Sequence, residues 1–300
     1  MEQDEQLQDW YVRYHSIFGK RYTRKRKDRF LESLSADVRQ FRTDVELDTF
    51  KLNEKDVVEY KNLYVGDIRK ANTIICTYYD TPAVHLGPYQ FFNVENRAKN
   101  TMLFISLSSA LYIILGLLFT WKVAMPVFQT NALISISSLV CIVFFILYFY
   151  FLKSVTRGWP NKHNLIRNTS SLLVQLYCTK QFKNEQLAFA FLDAGCTNNA
   201  GLEKVMNQSK ATVYMLDSIG SGEKLYQVMS NRTLAIASDS VETVISGAVT
   251  NNRLLYVISA SKENEHFTLS KKELQQNQLS DTNMNEVIDF LKQLVGRNFK

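Results

Sequence analysis

Two stretches of this chain are apolar and uncharged without a break, and they organise the rest of the pattern. Residues 102–121 (MLFISLSSALYIILGLLFTW) and 132–152 (ALISISSLVCIVFFILYFYFL) contain no Asp, Glu, Lys, Arg or His. At about 1.5 Å per residue, each is long enough as a helix to cross a hydrocarbon core of about 30 Å. Trp121, Tyr148 and Tyr150 stand toward the ends of the runs, where amphipathic rings favour the interface. The connecting KVAMPVFQTN carries only Lys122, whereas Arg97 and Lys99 precede the first run and Lys153, Arg157 and Lys162 follow the second. This asymmetry predicts a two-pass transmembrane hairpin with both outer flanks in the cytoplasm. Ser106, Ser108, Ser109, Ala110 and Gly116, with Ser135, Ser137 and Ser138, are small enough to let two helices approach closely. Without ionisable groups inside either run, an anchor is expected rather than a transport path.

Outside the hairpin the periodicity alternates between strand and helix. Residues 1–48 read as a charged helical segment opened by Trp10, Tyr11, Tyr14 and Phe18. From about 49 the pattern turns to short β-branched and aromatic runs, KNLYVGD (61–67) and NTIICTYYD (72–80). After the hairpin, NLIRNTSSLLVQLY (164–177) has helical spacing, followed by LAFAFLD (187–193, strand) and NAGLEKVMNQ (199–208, helix). ATVYMLDSIG (211–220), KLYQVMS (224–230) and RLLYVISA (253–260) read as strands, and NEVIDFLKQLV (285–295) as a closing helix. Alternation of this kind predicts an α/β fold, a mostly parallel sheet with flanking helices. Three parts are expected: a basic helical segment (1–48), one split α/β domain (49–100 plus 153–300), and the hairpin (101–152). Two crossings bring the chain back to its starting side, which is what permits the halves to form one domain.

Charge adds one local feature. The net charge of +6 is modest, but KRYTRKRKDR (20–29) concentrates Lys20, Arg21, Arg24, Lys25, Arg26, Lys27 and Arg29. Arg24, Lys25, Arg26, Lys27 and Arg29 are candidates for a lipid-facing basic patch against anionic headgroups. A solvated face offset by nearby acids is the plainer reading, and nucleic acid ranks last because no aromatic–basic interleaving extends beyond the patch. Cys76, Cys141, Cys178 and Cys196 are widely spaced without a CxxC pair, as expected of reduced thiols in a cytosol-facing protein. The polar opening MEQDEQLQDW does not read as a signal peptide. No GxSxG elbow is present, and SIGSGEK (218–224) lacks phosphate-loop spacing.

Four segments in order resemble the co-catalytic zinc aminopeptidase family, the group that includes leucyl aminopeptidases. Tyr78-Tyr79-Asp80 resembles its strand ending in histidine–any–aspartate, and NKHNLIRNTSSLLVQL its Asp-Asn turn opening a helix. FAFLDAGCTNNAGLEKV resembles the strand followed by paired glutamates, and YMLDSIGSG the strand ending in aspartate. The resemblance implies a zinc-exopeptidase-like fold with the hairpin inserted into it.

Residue by residue, the same resemblance implies a degenerate catalytic site. The first histidine ligand falls on Tyr78, the bridging aspartate near His163 or Asn164, the paired glutamates on Gly195 and Cys196, and the last histidine near Ser240. Asp80 and Asp217 persist, with Asp193 in support. Gly195 has no side chain to act as a base, and a phenol ionising near about pH 10 is a poor zinc ligand. The expectation is therefore an inactive, aminopeptidase-like protein. It would bind a peptide or protein partner in a cleft bordered by Tyr78, Tyr79, Asp80, His163, Asn164, Asp193, Cys196 and Asp217. An active but atypical zinc-dependent membrane aminopeptidase is the alternative reading, and a membrane scaffold acting through its basic N-terminal helix is another. A single atypical zinc held by His163, Cys196 and Asp217 is a further possibility that the resemblance leaves open.

Overall fold

Strand TIICTY is apolar on both faces because both faces are covered. In the computed structural model, which describes residues 5–132 and 134–298, all six of its side chains are buried. The first four residues of the N-terminal segment, Leu133 of the second apolar run and the last two residues of the chain lie outside the described residues. The elements in order are α1 (Glu5–Tyr11), α2 (Arg24–Arg39), β1 (Val45–Phe50), β2 (Tyr60–Val65), β3 (Thr73–Tyr78), β4 (Tyr89–Gln90) and α3 (Val94–Phe119). Next are α4 (Met125–Thr130), α5 (Ile136–Thr156), α6 (Ser170–Gln181), β5 (Leu187–Leu192), α7 (Ala200–Gln208) and β6 (Thr212–Asp217). The remainder are β7 (Leu225–Met229), β8 (Val241–Ile245), β9 (Leu254–Ser259), β10 (Ser261–Glu263), β11 (His266–Leu269), α8 (Lys271–Leu274) and α9 (Asp281–Asn298).

The main sheet runs β1-β2-β5-β3-β6-β9-β7-β8. Its centre, β5-β3-β6-β9, is parallel, and β7 and β8 are parallel to each other. β1 and β2 join antiparallel at one side, and β7 runs antiparallel to β9 at the other. This is the mostly parallel sheet with flanking helices that the alternating pattern predicts. β3 precedes the long apolar segment in sequence and β5 and β6 follow it, yet the three are neighbours in the sheet. The stretch expected to stay helical to residue 48 instead ends its helix at Arg39, and Val45 already pairs with Val65 in β1. VELDTF forms an edge strand with half of its side chains in solvent, so its polar positions mask the strand period.

One face of the sheet packs against α1, α2, α6 and α9 through Trp10, Tyr14, Phe30, Leu34, Leu173, Leu176, Phe290 and Leu291. The other face packs against α7 and the small antiparallel sheet β10-β11-β4 through Leu202, Val205, Tyr89, Phe91, Phe267 and Leu269. Helix α6 is buried nearly all round between the sheet and the other helices, and its Gln175 donates from Nε2 to the Ala190 carbonyl at 2.9 Å.

The chain divides into two compact units. The larger takes in the residues up to Pro82, Pro88–Val94, and those from Asn161 onward. The smaller is Ala83–Gly87 with Glu95–Pro160. In the smaller unit the first apolar run lies in a helix that exceeds its expected span at both ends, and the second, expected over 132–152, is helical from Ile136 to Thr156. α3 continues through one π-type turn (Thr120–Ala124) into α4, so the expected connector KVAMPVFQTN is largely helix, and Pro126, which has no N–H to donate, sits just after the turn where regular α-helical bonding is interrupted. α4 ends at Thr130 and α5 begins at Ile136, where the Ser135 side chain caps it by accepting from the Ser138 amide. Gly116 permits close approach: a Cβ there would lie 2.3 Å from the Tyr148 hydroxyl. Tyr112 and Tyr148 stack at 4.6 Å, each donating its hydroxyl to the other's carbonyl at 3.1 Å. Only 6% and 11% of the two most apolar windows are buried, so the apolar side chains face outward. Both helices are long and apolar enough to cross a membrane.

Candidate functional site

In a parallel sheet, loops leaving the carboxyl ends of adjacent strands converge, and ligand sites form there. Here β3 delivers Tyr78-Tyr79-Asp80, β5 delivers Asp193-Ala194-Gly195-Cys196, and β6 delivers Asp217-Ser218. A π-type turn, Leu165–Thr169, approaches from the start of α6. Ala194 (φ 60°), the second residue past β5, and Ser218 (φ 56°), the first past β6, take left-handed conformations. Each costs about 1–3 kcal/mol and turns the chain sharply at the strand end.

Asp217 is the centre of the first cluster. Its Oδ1 accepts from Tyr78 Oη (2.8 Å) and Ser218 Oγ (2.8 Å), and its Oδ2 from Tyr89 Oη (2.6 Å). Arg167 donates from Nε to Tyr78 Oη (3.3 Å), and its Cζ lies over the Tyr89 ring, 3.9 Å from the ring centre. Asp217 is 4% exposed, Arg167 4%, Tyr78 3% and Tyr89 1%, so the cluster is closed. Burial pushes the Asp217 carboxyl above its ordinary range, opposed by the Arg167 charge and the three hydroxyls. Burial likewise drives the Tyr78 phenol well upward, assisted by Asp217.

Asp80 anchors the second cluster. The Cys196 amide donates to both of its carboxylate oxygens (3.1 and 3.3 Å). Its backbone carbonyl receives the Cys196 thiol (3.1 Å) and Asn168 Nδ2 (2.5 Å). Burial raises the Asp80 carboxyl, with the Lys27 charge opposing. Beside it Asp193 accepts Lys27 Nζ at 2.5 Å, and the Ala194 and Lys61 amides. Arg21, with no exposed surface, donates to the carbonyls of Tyr79, Tyr14 and Phe18 and to Thr169 Oγ1.

Six of the sequence-derived residues do converge: Tyr78, Tyr79, Asp80, Asp193, Cys196 and Asp217. They do not border an open cleft, because all but Cys196 are buried. His163 does not join them. It is exposed, and its backbone amide bonds to Asn161 Oδ1 before the helical turn begins. Asn164 is buried but directs its amide group to the carbonyls of Gly19 and Asn161. From this segment the side chain that reaches Tyr78 is Arg167, one helical turn further on. The expected trio His163, Cys196 and Asp217 is therefore not assembled, and no group of three metal-ligating side chains occurs among the described residues. Ser240 precedes β8, which β9 and β7 separate from β6.

The basic patch is also divided. Lys27 turns inward to Asp193, whereas Arg24, although paired with Glu59 at 2.5 Å, stays mostly exposed. Lys25, Arg26 and Arg29 remain exposed. Sequence reasoning missed Arg167, Arg21 and Tyr89. Arg167 left a signal, as the single charge within NLIRNTSSLLVQLY. Tyr89 left none, since it arrives on a two-residue strand of the other sheet.

These side chains do not fit a pair of zinc ions. Each zinc prefers about four N, O or S donors, with thiols ionised. Burial instead pushes the Cys196 thiol up to about 12, and cations, Arg167 and Lys27, stand beside the retained carboxylates. Space is taken as well: a Cβ on Gly195 would fall 2.3 Å from Tyr78 Cβ and Cγ, so the Tyr78 side chain fills the space a carboxylate-bearing residue at 195 would need. A thiol with a pKa of about 12 is about one part in ten thousand thiolate at pH 8. Cys196 is thus expected to react with iodoacetamide at least a hundredfold more slowly in the folded protein than after denaturation, measured by mass spectrometry of the labelled peptide.

No protein-family model and no curated protein matches the sequence. Among solved structures the fold is similar to that of glutaminyl cyclase from Tannerella forsythia, at 10% identity over 97% of each chain, TM-score 0.56. It is similar to a Zn-dependent exopeptidase from Parabacteroides distasonis, at 10% identity over 97% of each chain, TM-score 0.56. A leucine aminopeptidase precursor from Bacteroides thetaiotaomicron gives 11% identity over 97% of this chain and 96% of that one, TM-score 0.56. At such identities the likeness speaks for the fold alone, and that fold is zinc-exopeptidase-like.

Proposed function

We propose that this chain is a membrane-anchored protein that keeps a zinc-exopeptidase-like fold without its chemistry and acts by binding a peptide or protein partner on the cytoplasmic face. The observation that carries the reading is the Tyr78 side chain standing in the space above Gly195. A hydrolytic site of this fold needs a base within hydrogen-bond reach of the attacking water. Position 195 supplies none, and the neighbouring carboxylates are buried and already bonded. Since the strand-end site is closed, partner contact belongs to the outer surface of the domain rather than to the former substrate cleft. The α3 and α5 helices, apolar outward and flanked by basic residues, support the anchoring. The basic N-terminal helix favours a second contact: Lys25, Arg26 and Arg29 stay exposed and are suited to anionic lipid headgroups.

The purified full chain in detergent is expected to release no product from aminoacyl-p-nitroanilides, and to form no pyroglutamate from glutaminyl peptides, with or without added zinc. Turnover above that of an Asp217→Asn control, abolished by chelator, would restore the reading of an atypical zinc-dependent aminopeptidase or cyclase.

A further inference from the structure

We infer that the strand-end site carries its own positive charge where relatives of this fold carry metal: Arg167, seconded by Lys27, is the built-in cation of a closed cluster that takes up no divalent metal. The inference goes beyond the absence of catalysis, because an inactive protein can still hold zinc, and the two claims fail separately.

Position is the first argument. A metal serving the ends of β3 and β6 would lie between the residues at 78 and 217. Here the two are bonded directly, Tyr78 Oη donating to Asp217 Oδ1, and the cation beside that pair is Arg167, whose Nε donates to the same Tyr78 Oη. The guanidinium thus reaches the carboxylate through one hydroxyl, and its Cζ lies over the Tyr89 ring, 3.9 Å from the ring centre. A planar, weakly hydrated cation is the type that tolerates such burial against an aromatic face.

Charge balance is the second. Three buried carboxylates, Asp80, Asp193 and Asp217, share the site with three cations, Arg21, Lys27 and Arg167. Lys27 acts on both Asp80 and Asp193, Arg167 on Asp217 and Asp80, and Arg21 on Asp80. The sum is neutral. A divalent ion would bring two uncompensated charges into a closed site, against two guanidinium groups and an ammonium.

Coordination is the third. Both Asp217 oxygens are taken by three hydroxyl donors, and both Asp80 oxygens by the Cys196 amide. A metal would have to displace these bonds as well as the cations.

The test uses the full chain in detergent, stripped with chelator and dialysed against zinc. Metal analysis is expected to find no zinc above that of an Asp217→Asn variant, and chelator should leave the unfolding temperature unchanged. One tight equivalent of zinc, lost in Asp217→Asn, overturns the inference. A second arm asks whether Arg167 acts through its charge. Arg167→Met and Asp217→Asn should each lower the unfolding temperature by several degrees, and the double variant should lose clearly less than their sum, because cation and carboxylate leave together. Arg167→Lys should retain more than Arg167→Met. Losses that simply add, with lysine no better than methionine, would reduce Arg167 to a space-filling residue and overturn it. If Arg167→Met does not fold, the zinc measurement on the unaltered chain still decides.

Discussion

Replacing Arg21 by methionine is expected to destabilise the soluble domain by about 3–5 kcal/mol, the scale for removing one member of a buried, charge-assisted network. Arg21 has no exposed surface. Its Nε donates to the Tyr79 carbonyl at 2.5 Å, Nη1 to the carbonyls of Tyr14 (2.9 Å) and Phe18 (3.1 Å), and Nη2 to Thr169 Oγ1 (3.2 Å). One side chain thereby ties the N-terminal segment to the end of β3 and to the turn that carries Arg167. Its own backbone adds to the tie, since the Arg21 amide donates to Thr81 Oγ1 and its carbonyl accepts from the Thr81 amide. Burial lowers the guanidinium pKa to about 10, so it remains protonated at neutral pH. Methionine would leave the acceptors buried without donors. Lysine keeps the charge but cannot fork to four acceptors, so Arg21→Lys should recover only part of the loss. Arg26→Met, five residues on and exposed, should change stability by less than about 0.5 kcal/mol. Urea unfolding of the detergent-solubilised chain, followed by tryptophan fluorescence, measures all three. Equal stabilities for Arg21→Met and Arg26→Met would defeat the account.

That Arg21 and Arg26 differ so sharply could not be read from KRYTRKRKDR, where the two look alike. The partner that turns Lys27 inward, Asp193, lies 166 positions away, and no local pattern reports a contact at that range. The central strands were legible for the opposite reason. TIICTY, LAFAFL and TVYMLD are buried along their length, so their apolar runs follow directly from their places in the sheet. Edge strands such as VELDTF and VETVI are half in solvent, and their polar positions conceal them. The motif-bearing strand ends were found because they sit on those central strands. A site residue was expected at His163 or Asn164, whereas the side chain of this segment that reaches Tyr78 is Arg167, about one helical turn on. The π-type turn Leu165–Thr169 advances the chain differently from an α-helix, and only its geometry identifies Arg167 as the residue that points inward.

Gly195→Ala is expected to be among the most damaging single-carbon additions in this chain, costing about 3 kcal/mol, the upper end for overpacking a buried site. The added Cβ would lie 2.3 Å from Tyr78 Cβ, 2.3 Å from Cγ and 2.7 Å from Cδ1. Rotating the tyrosine removes the contacts to Cγ and Cδ1 but not the one to Cβ, which β3 fixes through the pairing of Tyr78 with Leu192 of β5. Relief therefore needs either a shift of the strand or the loss of that Cβ. Tyr78→Gly alone should be severe, since it removes a buried ring and a hydroxyl donor to Asp217. In the Tyr78→Gly, Gly195→Ala double variant the clash disappears, and the loss should fall short of the sum of the singles by about 1–2 kcal/mol. Tyr78→Ala in place of Tyr78→Gly keeps the offending Cβ, so its coupling with Gly195→Ala should be smaller. Losses that add within about 0.5 kcal/mol for both pairs would show that the two positions do not compete for space. The predicted order of couplings carries a structural consequence. If a Cβ at 78 and a Cβ at 195 exclude each other, then histidine at 78 with glutamate at 195 cannot be accommodated by exchanging side chains alone. The departure from a metal-binding site then lies in the spacing of the β3 and β5 ends, and restoring the ligands would require moving the backbone that holds them.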